Sequence, residues 1–194
     1  VCAGQGDFRG VIQLMQLHPT IPDLQGRGCV ALWKMICPER EALSGDLDHE
    51  NIVAIAEAGG IEVVLGALET PGQDPLGQDP LGALETPDQD PWVLAEGLFA
   101  IFFLCAGNQN NKVKMADLGG IEGILHAMKQ HAKHEGVQDY GCRALGNLGC
   151  NNNDNRVKIA ATGGIEGILH AMKQHAQHEG VQQRGCLALA NIAS

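Results

Sequence analysis

Histidine is the residue type in this chain whose spacing most invites chemistry. His126, His131 and His134 recur as His170, His175 and His178, followed by Glu135 and Glu179. Imidazoles at i and i+3 can share a metal ion. The spacing argues against it here. His126 and His131 are five apart and point to different faces of a helix, whereas His131 and His134 fall near a turn, where side chains are solvated. Their recurrence follows from duplication of a whole segment and is no separate signal. No metal and no cofactor are therefore expected. Enzyme signatures are missing as well: there is no phosphate-cradling glycine loop after a strand, no GxSxG and no HExxH.

Seven cysteines are the next candidates. Cys29, Cys142 and Cys186 occupy one place in repeated segments, and Cys37 and Cys150 occupy another. An odd count without CxxC pairs fits neither a disulfide framework nor a zinc finger. Repeat-locked thiols read as small apolar groups on the buried side of a helix. A reducing compartment follows, cytoplasmic or nuclear.

The elements that hold these residues come from a repeat. GGIEGILHAMKQHAKHEGVQDYGCRALGN at 119–147 is written again as GGIEGILHAMKQHAQHEGVQQRGCLALAN at 163–191, an ungapped offset of 44 residues. A period of this length points to units too small to bury their own apolar face, which stack and share one core. Within a copy, Ile121, Ile124, Leu125 and Met128 fall on one face of an α-helix. Val137, Cys142, Leu145 and Leu148 mark a second, longer helix. Val113, Met115, Ala116 and Leu118 suit a short helix before the Gly119-Gly120 pair, which stops it, because glycine tolerates the positive φ needed past a helix end. Each unit is thus a short helix, a glycine corner, a helix, a polar turn and a long helix.

Three segments, NRVKIAATGGIEGIL at 155–169, the Val137-Gln138 and Val181-Gln182 openings, and the closing ALGNLG and ALANIA, resemble the armadillo repeat. The resemblance covers most of the chain and is strongest over 108–194. It implies an all-α fold, a right-handed α-solenoid of about four three-helix repeats. The repeats run over approximately 1–50 (incomplete), 51–107, 108–151 and 152–194, as one domain. In that family the third helices line a concave groove that holds extended segments of partner proteins, and a ladder asparagine bonds the partner's backbone. Carried over, the ladder residues are Asn147 and Asn191. One turn earlier the family often has tryptophan, whereas here Arg143 and Leu187 stand. In the second repeat the two positions hold Phe103 and Phe99, and in the first Lys34 and Val30. The pattern departs from a grip on basic nuclear-import peptides.

Each candidate has two readings. Asn147 and Asn191 bond a partner or cap their own helix. Phe99 and Phe103 form an apolar anchor in the groove, or pack against neighbouring repeats. Arg143 pairs with an acidic group or is solvated. Glycines on the long helices (Gly28, Gly97, Gly141, Gly185) permit close packing.

Two insertions disturb the period. Nine extra residues fall within 37–51, where Pro38 ends the first long helix. A further sixteen come from tandem duplication of LGALETPGQDP at 65–75 as LGALETPDQDP at 81–91. The expanded stretch, 70–91, carries five of the eight prolines and is acidic, so it reads as a projecting loop, either a dock for a basic partner or a tolerated expansion.

Composition bounds the function. Hydrophobic residues make up 44% and aromatics 4%, which suits helices packed through aliphatic side chains. A net charge of −10 argues against nucleic acid, which needs a basic face to replace counterions. No apolar run reaches membrane-spanning length, and no signal peptide is visible. The chain lacks an initial Met and closes inside an apolar helix, which reads as a fragment of a longer array. The expected role is a non-catalytic scaffold, not an enzyme, binding a protein or extended peptide in the groove. The alternative is a structural or self-associating segment of a larger multidomain protein. The sequence leaves the oligomeric state open.

Overall fold

A computed structural model describes residues 7–37, 47–69 and 90–194. Among these residues the chain is all helical, with eleven α-helices and no strand. Unit one holds α1 (Phe8–Leu17) and α2 (Pro22–Ile36). Unit two holds α3 (His49–Glu57), α4 (Gly60–Leu68) and α5 (Pro91–Cys105). Unit three holds α6 (Gln109–Asp117), α7 (Gly120–Gln130) and α8 (Glu135–Gly149), and unit four α9 (Asn153–Ala161), α10 (Gly164–Gln174) and α11 (Glu179–Ala193). The long helices α2, α5, α8 and α11 lie side by side in chain order, and α1, α4, α7 and α10 form a parallel row.

The corner in each three-helix unit is made as the glycine pairs require. Gly59, Gly119 and Gly163 sit at φ of 96°, 83° and 83°. The second glycine is needed for space: a Cβ on Gly120 would come within 2.7 Å of the Met115 carbonyl oxygen. The bend between α3 and α4 across this corner is 76°.

Polar side chains then lock the helices of a unit at fixed heights. Gln25, Gln138 and Gln182 open the long helices and donate from Nε2 to the carbonyls of Met15, Met128 and Met172. Asn51, Asn111 and Asn155 donate from Nδ2 to the carbonyls of Met35, Leu104 and Leu148, tying each short first helix to the long helix before it. Between units, Lys158 reaches Glu122 at 3.2 Å and the Ala116 carbonyl, and Lys114 reaches Glu62 at 2.7 Å in the same way. A buried amide without a partner costs free energy, so the asparagine and glutamine bonds favour one register.

The apolar core runs through all units as one cluster. The long-helix glycines are sites of close approach. A Cβ on Gly28, Gly141 or Gly185 would strike Met15, Met128 or Met172 within 2.6 Å.

Three sequence expectations need correction. Cys186 is exposed, although Cys29 and Cys142 are buried, because the side that α11 covers on α8 has, among the described residues, no covering helix on α11 itself. Val113 and Leu118 are 47% and 48% exposed, and α6 is anchored instead by Asn111, Met115 and Ala116. Residues 90 and 91 form the start of α5 and not the acidic loop: Asp90 caps α5 by accepting from the Trp92 amide, and Pro91 begins its first turn. The rest of that loop, 70–89, and 38–46 of the first insertion lie outside the described residues.

Candidate functional site

The exposed side of α5, α8 and α11 forms a trough of about 370 Å³. Its polar rim is Arg143, Asn147, Arg184 and Asn191, and its apolar walls are Phe102 and Leu187. Position along the long helix puts these residues there. Arg143 and Asn147 are one helical turn apart, as are Arg184 and Leu187, so each pair shares a face.

The asparagines do neither of the two things expected of them alone. Asn147 Nδ2 donates to the Phe102 carbonyl at 2.7 Å, and Asn191 Nδ2 to the Gly146 carbonyl at 3.1 Å. Each straps its long helix to the preceding one and caps nothing on its own. An amide has a second N–H and an acceptor oxygen. Both residues are half-buried, so these groups border the trough.

Phe99 and Phe103 are not in the trough. They are 0% and 2% exposed, which removes them as a direct anchor for a partner. Trp33 lies edge-on to Phe99 at 5.1 Å and stacks on Phe103 at 6.0 Å. The Trp33 indole N–H donates to buried Glu96 at 2.9 Å, so the aromatic cluster also bolts α2 to α5. Large rings release most free energy when fully enclosed, and α5 lies between α2 and α8, where enclosure is available. The outward aromatic is Phe102, one residue away and half-buried.

Arg143 packs on aromatic rings. Its guanidinium lies 4.8 Å from the Phe102 ring centroid and 5.3 Å from that of Phe99. Cation–π stacking of this kind holds the planar, charged group over the trough floor. Arg184 Nε stands 3.9 Å from Asp139 Oδ1, a contact too long for a hydrogen bond. Arg184 and Phe102 were missed in the sequence. A signal was present: the two 29-residue copies differ at only five positions. Three of those pairs are Tyr140/Arg184, Arg143/Leu187 and Gly146/Ala190, and four of their members line the trough.

The histidines serve the backbone. Nδ1 of His134 and of His178 accepts from the Val137 and Val181 amides, capping α8 and α11. His175 Nε2 lies 2.7 Å from the Ala132 carbonyl, and His178 Nε2 3.5 Å from Glu135. Among the described residues no three His, Cys, Asp or Glu side chains are grouped as a metal would need. Burial pushes the thiols of Cys29, Cys105 and Cys142 up to about 12, so they stay protonated and unreactive at neutral pH. Among the described residues no single helix is long and apolar enough to cross a membrane.

A second cleft of about 420 Å³ lies between α7 and α10, bordered by Leu125, Met128, Lys129, Glu166 and His170. These five residues fall at positions where the two copies are identical, so this cleft is a by-product of stacking one unit on the next.

No protein-family model matches the sequence, and no curated protein matches it. The fold is similar to the crystal structure of an engineered protein, with a TM-score of 0.68 and 22% identity over 96% of this chain. The chain covers 62% of that protein's length. The likeness supports a helical, repeat-like fold and carries no function.

Proposed function

We propose that this chain is an armadillo-type α-solenoid and that its role is non-catalytic: it holds an extended segment of a partner protein in the α5–α8–α11 trough. The observation that carries the reading is where the two copies differ. Selection or drift changed five positions in 29, and three of them fall along the trough, while the residues bordering the α7–α10 cleft stayed the same. The chemistry of the trough suits an extended backbone. Asn147 and Asn191 present amide groups at the rim, and Phe102 and Leu187 offer apolar contact to side chains. The positive charge of Arg143 and Arg184 at the rim favours a segment bearing carboxylates.

Selection from a random displayed peptide library tests the reading. Enriched sequences rich in Asp or Glu, whose affinity falls at least about tenfold with Leu187→Glu or Arg143→Ala, are expected. Leu187 is 52% exposed, so its substitution leaves the core intact, and a thermal melt checks this. No enrichment, or enriched peptides indifferent to both substitutions, would overturn the proposal.

A further inference from the structure

The two outer faces of the stack are complementary, and the stack itself shows what seats on them. One set of positions faces the unit before. In units two, three and four these include Ala67, Ala127 and Ala171, which are 0%, 1% and 0% exposed. The equivalent residue of unit one, Leu14, is 52% exposed. Another set faces the unit after. Cys29, Leu98 and Cys142 are fully buried there, whereas Cys186 is exposed, and Leu169 is 51% exposed where its counterpart Leu125 is packed against the core.

The contacts that join unit four to unit three are specific. Gly167 sits close on Leu125, such that a Cβ there would lie 3.2 Å from Leu125 Cδ2. His175 Nε2 meets the Ala132 carbonyl at 2.7 Å, and Arg184 faces Asp139. Unit one carries the same three residue types at the equivalent places: Gly10, His18 and Arg27. The outer face of unit four offers the matching sockets in Leu169, the Ala176 carbonyl and Gln183. Gln183 donates to Glu179 through Nε2, which leaves its Oε1 to accept from an arginine. In the isolated chain Arg27 holds Asp23 at 2.9 Å, with both side chains largely exposed, an arrangement worth little in water.

We propose that copies of this chain associate head to tail, the α1–α2 face of one copy seating on the α10–α11 face of the next. The occupant is a second copy, because the receiving face repeats one that unit four already covers and the arriving face repeats the residues that cover it. The joint sits slightly wider than that between units three and four. There a Cβ on Gly146 would lie 2.8 Å from Ala188 Cα, and Ala190 has that Cβ. The joint between units two and three already accommodates a side chain at this place, Phe102. Such a contact is heterologous and does not close on itself, so it yields a concentration-dependent ladder of species in place of one fixed dimer.

Sedimentation velocity on the full 194-residue chain, from micromolar to submillimolar concentration, tests this. The mean mass is expected to rise above one copy as concentration increases. Leu14→Glu and Leu169→Glu each weaken association at least about tenfold. Both residues are more than half exposed, and Cys186→Arg serves as a second variant of the receiving face, with circular dichroism confirming the fold of each. Mixing Leu14→Glu with Leu169→Glu restores a two-copy species and nothing larger, since one intact face of each kind remains. A single-copy mass throughout, association unaffected by either variant, or no complex in the mixture would overturn the proposal.

Discussion

Leu145 and Leu189 occupy the same place in two copies of one 29-residue sequence, yet Leu145 is fully buried and Leu189 only partly. The same holds for Cys142 against Cys186 and Ile121 against Ile165. The helices around them have the same lengths and the same caps: α8 and α11 both run fifteen residues behind a histidine N-cap. The difference lies wholly in what stands beside each unit. In a stacked-repeat protein, burial belongs to the joint between two units and not to a residue type, so stability is a sum over units and joints.

Truncation at the paired leucines breaks this comparison most sharply. Leu145→Ala is expected to lower unfolding free energy by about 2–5 kcal/mol, the cost of a cavity in a packed core. Leu189→Ala should cost about 1 kcal/mol, as for a partly exposed apolar residue. Urea denaturation at low protein concentration measures both. Equal losses would mean that the outer face of unit four is covered in solution even at that dilution.

The glycine-to-alanine difference between the copies sharpens the point. Gly146→Ala should destabilise by about 1–3 kcal/mol, because the new Cβ meets backbone of α11 rather than a movable side chain tip. The reverse change, Ala190→Gly, meets no such neighbour and should cost about 1 kcal/mol through helix propensity alone. Comparing the two by chemical denaturation separates joint strain from local backbone preference.

The thiols give the smallest and most local readout. A thiol-specific reagent should label Cys186 in the native protein and reach Cys142 only on unfolding, so mass spectrometry before and after denaturation should resolve the two. A pH effect accompanies burial. Cys29, Cys105 and Cys142 hold their protons up to about 12 in the fold, against 9.0 for an ordinary cysteine. Their contribution is therefore fully present below pH 9, and it is lost between about 9 and about 12, where the unfolded chain releases protons that the folded chain keeps. The melting temperature should fall as pH rises through this window, and Cys105→Ala should flatten the fall.

Much of the architecture was legible beforehand because it rests on local rules. The glycine corners appear at Gly59, Gly119 and Gly163, and the second and third helices of each unit follow the apolar spacing that begins at Ile121 and Val137. The candidate site was less legible. α5 is apolar almost all round, so no stripe tells which side faces out. Phe99 and Phe103, aligned with the rim positions of other units, turned inward onto Trp33, and Phe102 took the trough. The histidines escaped notice as caps because histidine is an uncommon N-cap, and only the Val137 and Val181 amides beside them reveal the role.

By itself, then, the sequence determined the unit: its length, its corner, its helices, and the Gln138 and Asn111 clamps whose hydrogen-bonding partners lie within a few turns along the chain. Those features depend on φ preferences and short-range spacing, which each copy carries in full. The tertiary structure alone decided which of two identical residues is core and which is surface, that Asn147 straps α8 to α5, and that Arg143 lies flat on Phe102. These depend on the packing of one unit on the next, and that information is split between segments about 44 residues apart.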